Sequence, residues 1–319
     1  MVATKPAARR SDLKSAMPAR RSDFTSAKPA RRSDFRSAML FLIPAFIGFI
    51  AFFAWPTVRG VYLSFTEFNL LQPPEWIGFD NYVAIAGDPV FWNSLVVTSE
   101  YVLINIGVQT IAALVLAVLL QRFTRSMVVR GVVLLPYLIA NVVVALVWFW
   151  LADYNLGLIN STLDAVGFDR VGFFGNEALA MPTIALINVW RHLGYTTLLI
   201  FAGLQAIPRD VYEAAEVDGA GEARTFFGIT LPLLRPVLAF VLVITLVGAF
   251  QIFDTIAVTT GGGPVDATRA ITYYIYERAF GRFDFGYASA MSVILMIILG
   301  AVALIQLRVL RANDSDLER

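Results

Sequence analysis

Four side chains within one apolar stretch of the sequence have types and a spacing that suit ligand binding. They are Asn188, Arg191, His192 and Tyr195. Their positions are i, i+3, i+4 and i+7, so on an α-helix they share one face. Amide and charged groups bond hydroxyls, and an aromatic ring covers a C–H surface, so the set suits a sugar-like solute. The alternative is hydrogen bonding between helices, which also uses Asn and His in membranes.

A second apolar stretch carries three weaker candidates for the same role, Thr245, Gln251 and Asp254. A Thr in a membrane helix often bonds its own backbone, which weakens the case for Thr245. Gln251 and Asp254 lie about one turn apart and either bind the solute or belong to an outer gate. Glu100, in a third stretch, lies either in the same cavity or near the membrane interface. Arg191 and His192 favour an anionic or phosphorylated solute. Glu100 and Asp254 instead favour an amino sugar.

Composition predicts the kind of fold that holds these residues. The chain has 319 residues, of which 58% are hydrophobic and 15% charged, and its mean hydropathy is +0.68. Soluble domains are about a quarter charged, so the chain is expected to be an all-α polytopic membrane protein. With no Cys and one His, it lacks the residues for a disulfide framework, a thiolate metal site or a histidine-based metal cluster.

Six apolar stretches have the ~20 residues that crossing a bilayer core requires. The predicted spans are residues 38–55, 94–120, 127–151, 182–204, 233–253 and 287–307. They form one six-span domain, residues 38–310, with a short charged tail at 311–319. Trp55-Pro56 suits a membrane boundary and is expected to end the first span. A cleaved signal peptide is the competing interpretation, but bulky Phe52 and Phe53 leave no small-residue cleavage site.

The first 37 residues are basic and repetitive. Units of eleven residues begin at Ala8, Ala19 and Ala30, and Pro18 and Pro29 end the first two. Each unit has a single large apolar residue near its middle, so the repeat cannot build a helical seam. Residues 1–37 are therefore expected to be a disordered basic tail near anionic lipid. A regulatory or partner-binding tail is the alternative.

Basic residues near the ends of the spans predict the orientation in the membrane. One side holds the N-terminal tail and Arg122, Arg125, Arg130, Arg209, Arg224, Arg308, Arg311 and Arg319. The opposite side carries a thinner set over longer connections, Arg170, Arg269, Arg278 and Arg282. Both termini are therefore expected to face the cytoplasm. The protein is expected to lie in the plasma membrane of a prokaryotic cell.

A polar island, Glu213–Pro236, lies between the fourth and fifth spans. Its first part contains good helix formers, with acids placed early where they complement the helix dipole. Asp218-Gly219 breaks that helix because Gly tolerates left-handed backbone angles, and a second short helix can follow through Phe226. Pro232 and Pro236 mark the restart of a span. A helix–Gly–helix hairpin of this kind lies on the membrane surface and faces a partner.

The hairpin resembles the signature loop of the permeases of ATP-binding-cassette (ABC) importers. The resemblance rests on Glu-Ala-Ala from Glu213, Asp-Gly-Ala from Asp218, and Ile229, Leu231 and Pro232 in register. The run from Gly203 through Pro236 is similar to binding-protein-dependent sugar permeases of the maltose and glycerol-phosphate uptake type. The motif IGFDNY, residues 77–82, resembles the first of their two paired subunits.

The resemblance implies a fold of six transmembrane helices and a coupling loop, residues 205–232, that docks on an ATPase. Its coupling residues would be Glu213, Ala214, Ala215, Asp218, Gly219, Ala220 and Phe226. The implied partners are a second homologous permease, an ABC ATPase dimer, an extracytoplasmic solute-binding protein and membrane lipid, with no nucleic acid. The implied function is ATP-driven import of a carbohydrate or sugar-like solute.

The resemblance also bears on the solute site. Counted back from the loop, Asn188 and Tyr195 fall on sugar-contacting positions of the maltose type. Arg191 and His192 fall on neighbouring contact positions but differ from the maltose-type residues, so this solute is expected to be handled differently. Gln251 and Asp254 are alternatively expected to contact the solute-binding protein.

The sequence lacks any phosphate-binding loop of the G-x-x-x-x-G-K-[ST] type, since no Gly is followed by Lys. ATP and Mg²⁺ would therefore be bound by the partner ATPase, with no cofactor in this chain. The run TGGGP, Thr260–Pro264, lacks the Lys as well and is expected to be a flexible outer turn. The rival function is a self-contained secondary transporter or channel, but the repeat found here is in the tail rather than the spans. An enzyme is not expected, because one His and no Cys leave little for a nucleophile and base.

Overall fold

The computed structural model describes residues 32–123 and 126–311. Its α-helices are α1 (Arg32–Phe49), α2 (Trp55–Leu63), α3 (Asp80–Ala86), α4 (Pro89–Phe123), α5 (Met127–Leu138), α6 (Asn141–Leu151), α7 (Leu158–Val166), α8 (Glu177–Ala206), α9 (Arg209–Val217), α10 (Glu222–Thr225), α11 (Leu231–Leu233), α12 (Arg235–Phe250), α13 (Asp254–Val258), α14 (Ile271–Tyr276) and α15 (Phe285–Arg311). π-helical turns occupy Ile50–Ala54, Phe226–Thr230 and Glu277–Gly281. Two short strands, β1 (Thr66–Glu67) and β2 (Glu75–Trp76), pair antiparallel.

Within the described residues, five helical stretches are long and apolar enough to cross a membrane. They are Phe41–Leu63, Pro89–Phe123, Glu177–Ala206, Arg235–Val258 and Phe285–Gln306. The pair α5 and α6 gives a sixth if it is counted as one span, although its two halves are bent by 87°. Helices suit these sequences because lipid offers no hydrogen bonds, so each backbone group must be bonded within the protein.

The first span differs from the expectation at both of its ends. Among the described residues, one compact unit ends at Pro56 and a second begins at Thr57. Helix α1 already begins at Arg32, within the third repeat unit, which ends in Met39-Leu40 where the first two units end in Pro. Helix α2 then contains Trp55-Pro56, because the wider π turn before it accommodates a residue without an N–H. Residues 1–31 and 312–319 of the expected tails lie outside the described residues.

Helix α8 is the most enclosed of the spans. Of its apolar window 56% is buried, against 22–28% for the windows in α4, α12 and α15. It packs along α4 in two hydrophobic clusters, one that contains Ile184 and Val97 and another that contains Ile200 and Ala117. Gly194 lets the backbone of α5 come close, since a Cβ there would lie 1.9 Å from the carbonyl oxygen of Val133. The side chains on α8 are therefore held by neighbours on several sides.

The IGFDNY motif has a structural role in the connection between the first two spans. The amide of Asn81 donates to the carbonyl oxygens of Ser64 and Thr66, both at 3.0 Å. The hydroxyl of Tyr82 lies 2.7 Å from that of Ser64, and Gly78 has a φ of 66°. The motif thus fixes the path of the chain into α3.

The TGGGP run is more ordered by hydrogen bonds than expected for a flexible turn. The hydroxyl of Thr268 donates to the carbonyl oxygen of Gly263 at 2.6 Å and lies 2.7 Å from the hydroxyl of Thr260. Gly261 and Gly262 adopt positive φ angles of 57° and 86°, which suit Gly. The loop is therefore a defined structure between α13 and α14.

A half-buried carboxylate joins the start of α4 to α14 and α15. One oxygen of Asp88 accepts the hydroxyls of Tyr274 and Tyr287 at 2.6 and 2.7 Å, and the guanidinium of Arg278 lies 3.4 Å away. Burial alone raises the pKa of Asp88, but these tyrosine hydrogen bonds, with those from backbone N–H groups of α4, hold the pKa below the usual carboxyl value. Asp88 therefore stays ionised within its protein contacts.

Candidate functional site

A cavity of about 430 Å³ lies between α4, α8, α12 and the break between α5 and α6. The seven candidate solute residues all line it: Asn188, Arg191, His192, Tyr195, Thr245, Gln251 and Asp254. Four of them come from a single face of α8, because a helix repeats every 3.6 residues. The cavity has the size and the mixed polar and aromatic lining of a site for a small molecule.

Two tyrosine rings form one wall of the cavity. Tyr195 of α8 stacks on Tyr137 of α5, with ring centroids 4.6 Å apart and planes at 14°. The Tyr195 hydroxyl has no hydrogen-bond partner among the residues that the structure describes, so it is available to a solute. The stacked rings offer an apolar surface beside a free hydroxyl, a combination that suits sugars.

Asn188 is tied into the protein rather than free. Its amide nitrogen donates to the carbonyl oxygen of Ile184 at 3.0 Å and to the hydroxyl of Thr255 at 3.2 Å. Asn188 is 4% exposed. Its amide oxygen in turn accepts from the hydroxyl of Thr255 at 3.4 Å, so its contacts fit the alternative of helix–helix hydrogen bonding.

Arg191 and His192 are bonded to each other and to backbone. The Nε of Arg191 donates to the carbonyl oxygen of Ile139 at 3.2 Å, and Nη1 lies 3.0 Å from Nε2 of His192. The Nδ1 of His192 lies 2.9 Å from the carbonyl oxygen of Asn188. Because Arg cannot accept a hydrogen bond, these contacts fix the tautomer in which Nδ1 carries the proton.

The candidates that follow α8 in sequence differ in how freely they face the cavity. The hydroxyl of Thr245 donates to the carbonyl oxygen of Val241, within its own helix, as a membrane Thr often does. Gln251 caps the end of α12 and is exposed. Asp254 accepts a hydrogen bond of 3.1 Å from the amide of Asn141, so it links α13 to the broken span.

Several cavity residues were not among the predicted set. They are Tyr101, Asn105, Gln109, Tyr137, Asn141 and Thr196. The first three stand at i, i+4 and i+8 on α4, a spacing that the sequence already contains and that marks one helical face. Gln109 donates to the hydroxyl of Thr196 at 2.7 Å. Glu100 does not line the cavity; it is exposed on α4, and the described residues offer it no ion-pair or hydrogen-bond partner.

The polar island forms a helical hairpin, as its sequence suggests. Helix α9 ends at Val217, Gly219 adopts a φ of 70°, and α10 begins at Glu222. The N–H of Ala220 bonds the carbonyl oxygen of Ala215 at 2.9 Å, which closes the turn. The hairpin is braced by the ion pair between Arg122 and Glu222, and Arg122 lowers the pKa of that exposed glutamate.

The hairpin exposes a surface that includes apolar side chains. Among the predicted coupling residues, Glu213, Ala214, Asp218 and Gly219 are exposed, Ala220 and Phe226 are half-buried, and Ala215 is buried. Val217 is 88% exposed and Phe227 is 68% exposed, although neither was predicted. Apolar residues in an otherwise polar loop are the signal that would have identified them.

Residues 109–313 match the family described as binding-protein-dependent transport system inner membrane component. This segment is more than half of the chain. The chain belongs to this family. The resemblance seen in Glu213–Pro236 is thereby confirmed, and the chain is a non-catalytic permease subunit that passes through the membrane several times.

Relatives match the permease over most of its length. It is 36% identical over 280 residues to the sulfoquinovosyl glycerol transport system permease protein SmoG of Agrobacterium fabrum, covering 87% of this chain and 91% of the relative. It is 35% identical to the sn-glycerol-3-phosphate transport system permease protein UgpA of Yersinia enterocolitica, covering 81% and 88%. It is 32% identical to the trehalose/maltose transport system permease protein MalF of Thermococcus litoralis, covering 85% and 92%.

Solved structures show the same fold. A chain of a bacterial ABC transporter involved in import of the acidic polysaccharide alginate superposes with a TM-score of 0.77 at 25% identity, covering 88% of the permease and 97% of that chain. A second structure, of the alginate transporter with its alginate pentasaccharide-bound periplasmic protein, gives a TM-score of 0.76 at 24% identity, covering 86% and 94%. The expectation of an all-α ABC importer permease fold is therefore confirmed, apart from the small β1–β2 pair.

Proposed function

We propose that the permease translocates a carbohydrate or sugar-like solute in an ATP-driven importer, and that the cavity between α4, α8 and α12 is where this solute passes. The main support for this proposal is that the cavity combines the Tyr137–Tyr195 ring pair with amide and hydroxyl groups. Ring faces cover C–H surfaces of sugars, and the polar groups bond their hydroxyls. The relatives named above transport sugars or glycerol derivatives, which supports the same solute class here.

The proposed partners are a second permease, a dimeric ABC ATPase and an extracytoplasmic solute-binding protein. The exposed apolar side chains on the hairpin support docking to the ATPase, because such residues are costly in water. Basic residues near the span ends support an orientation with the hairpin and both termini in the cytoplasm. ATP and Mg²⁺ are then bound by the ATPase, and the Glu213–Pro232 loop transmits its movement.

The solute site is tested by replacing Tyr195 with Phe in the full complex in proteoliposomes. This change keeps the ring and its stacking but removes the Tyr195 hydroxyl, which has no protein partner within the described part of the chain. A lost solute hydrogen bond costs about 1–3 kcal/mol, so sugar uptake at low concentration is expected to fall roughly tenfold. Basal ATP hydrolysis is expected to persist because the hairpin is intact. Unchanged uptake would place the site elsewhere.

The role of Asn188 is tested by comparing sugar uptake in Asn188→Ala with uptake in a matched control, Thr255→Val. The control removes the partner of the Asn188 amide on α13, the Thr255 hydroxyl, but leaves the amide itself and its bond to the carbonyl oxygen of Ile184. If Asn188 contacts the solute, Asn188→Ala weakens uptake more than Thr255→Val does. Equal effects of the two variants would assign Asn188 to helix–helix contact alone.

Coupling is tested with Gly219→Pro, against Gly221→Ala in the same turn. Proline fixes φ near −65° and cannot adopt the φ of 70° at this position. Gly221 has a φ of −68°, and a Cβ there meets nothing within 4 Å. Gly219→Pro, like Glu213→Arg, is expected to leave the protein inserted but to weaken ATPase pull-down and solute-stimulated hydrolysis, while Gly221→Ala preserves both. Survival of both properties in Gly219→Pro would refute the coupling assignment.

A further inference from the structure

The break in the third span leaves backbone groups that need partners. Helix α5 ends at Leu138, and α6 begins at Asn141, because Ile139 and Ala140 have extended backbones with ψ of 139° and 135°. The carbonyl oxygens of Tyr137 and Ile139 consequently lack the N–H groups that a continuous helix would supply. Within a membrane, an unpaired carbonyl is costly.

Arg191 supplies those partners. Its Nε and Nη2 donate to the carbonyl oxygen of Ile139 at 3.2 and 3.1 Å, and Nη2 also donates to that of Tyr137 at 3.3 Å. Its Nη1 donates to Nε2 of His192 at 3.0 Å. Four of the five N–H bonds of the guanidinium are therefore directed at fixed acceptors. His192 is itself held by its bond to the carbonyl oxygen of Asn188.

The same contacts hold the ring that forms the cavity wall. The guanidinium of Arg191 lies 5.4 Å from the centre of the Tyr137 ring, and that ring stacks on Tyr195. One turn before Tyr137, the backbone of α5 touches α8 at Gly194. The position of Tyr137 is thus set by Arg191 on one side and by close backbone packing on the other.

The charge of Arg191 is poorly placed to hold an anionic solute. Arginine recognises carboxylate and phosphate best with two parallel N–H groups, and only one N–H remains here. Within the described ranges, no carboxylate forms an ion pair with Arg191, and the Asp254 carboxylate of the same cavity is bonded to Asn141. The guanidinium is stabilised instead by backbone carbonyls and a neutral imidazole.

We propose that Arg191 is a positioning residue, which with His192 holds the broken third span so that Tyr137 completes the aromatic wall of the solute cavity. The proposal rests on the proposed function and deepens it, since it concerns the same cavity. It assigns solute selection to the ring pair and the free hydroxyls rather than to a basic charge. Under this proposal, the charges of Arg191 and His192 do not by themselves favour an anionic solute.

The test uses Arg191→Lys, which keeps the charge but lacks the planar fork of N–H groups that reaches the carbonyl oxygens of Tyr137 and Ile139 and the ring of His192 together. Because this chain has no Cys, Leu146→Cys on α6 and Leu186→Cys on α8, both exposed, give it a single pair of labelling sites, and the chain is spin-labelled before it is assembled with its partner subunits. In the full complex, the distance between these labels is expected to be narrowly distributed when Arg191 is present and broadly distributed in Arg191→Lys. The solute concentration for half-maximal uptake is expected to rise roughly tenfold in the same variant.

Two results would overturn the proposal. The first is sugar uptake by Arg191→Lys close to that of the unchanged protein, because a positive charge alone would then be enough for transport. The other is lost uptake with an unchanged distance distribution, which would make Arg191 a direct solute ligand. The distance measurement needs no transported sugar, so it decides the positioning role even if the proposed solute class is wrong.

A second pair of variants covers the case in which Arg191→Lys does not reach the membrane. Tyr137→Leu removes the ring, and its matched control Tyr137→Phe keeps it. Uptake is expected to weaken roughly tenfold in Tyr137→Leu and to remain within about threefold in Tyr137→Phe. Full uptake by Tyr137→Leu would refute the aromatic wall that Arg191 is proposed to hold.

Discussion

Gly194→Ala offers a direct test of the packing that positions the cavity wall. A Cβ on Gly194 would lie 1.9 Å from the carbonyl oxygen and 2.7 Å from the carbonyl carbon of Val133. These are backbone atoms, so no rotamer change relieves the clash. Helix α5 must retreat by about 1.5 Å, the difference between 1.9 Å and an ordinary contact of 3.4 Å.

The displacement of α5 lowers the stability of the fold by an amount that can be estimated. Overpacking of this kind destabilises by about 1–3 kcal/mol. The hydrogen bonds from Arg191 to the break, now 3.1 to 3.3 Å long, would also stretch toward breaking, at about 1 kcal/mol each. Together, the overpacking and the three stretched hydrogen bonds are expected to lower the stability of the permease by roughly 4–6 kcal/mol and to separate Tyr137 from Tyr195.

Thermal unfolding of the purified complex and sugar uptake in proteoliposomes measure the two effects. Gly131→Ala is the matched control, since it also adds a methyl to α5 but meets nothing within 4 Å. We expect the control to keep both Tm and uptake, because Ala favours a helix over Gly. If Gly194→Ala behaves like Gly131→Ala in both assays, the close approach of α5 and α8 does not position the cavity wall.

Three further predictions concern other parts of the chain. Phe227→Asp is expected to weaken ATPase pull-down without lowering Tm, because it charges an exposed side chain; normal pull-down would exclude Phe227 from docking. Asp88→Asn is expected to lower Tm by the same amount at every pH from about 5 to 8. The reason is that a carboxyl group with a lowered pKa stabilises the fold at these pH values and loses this effect only at more acidic pH. A Tm difference between variant and unchanged protein that varies with pH within this range would contradict the prediction. Deleting residues 2–30 is expected to leave uptake nearly unchanged, and lost transport with normal insertion would make the tail a working part.

The hairpin and the face of α8 were the parts most accessible from sequence, for a physical reason. Both depend on local geometry. A Gly after Asp218 predicts the left-handed turn directly, and helical spacing alone places Asn188 and Tyr195 on one face of α8. Tyr101, Asn105 and Gln109 of α4 follow the same rule, since their spacing of four residues also marks one helical face.

The break in the third span could not be predicted in this way. Pro136 lies near it, but Pro44 and Pro182 lie inside α1 and α8, which continue unbroken. A proline in a span therefore does not by itself identify a break. The role of Arg191 depends on carbonyl oxygens more than fifty residues earlier in the chain. Those oxygens are available only because the helix is interrupted, so the sequence shows a charge within an apolar stretch but does not show the partners of that charge.

Helix α8 connects the cavity to the hairpin. It ends at Ala206, and α9 begins at Arg209 after two residues. Arg191 lies fifteen residues before Ala206, about 22 Å at 1.5 Å per residue. Because α8 is the most enclosed span, a displacement of the hairpin by a bound ATPase would reach the cavity through one packed helix. In the proposed importer, Arg191 and Gly194 would then pass that displacement to the broken span, so the residues that hold Tyr137 in place would also be those that move the cavity wall.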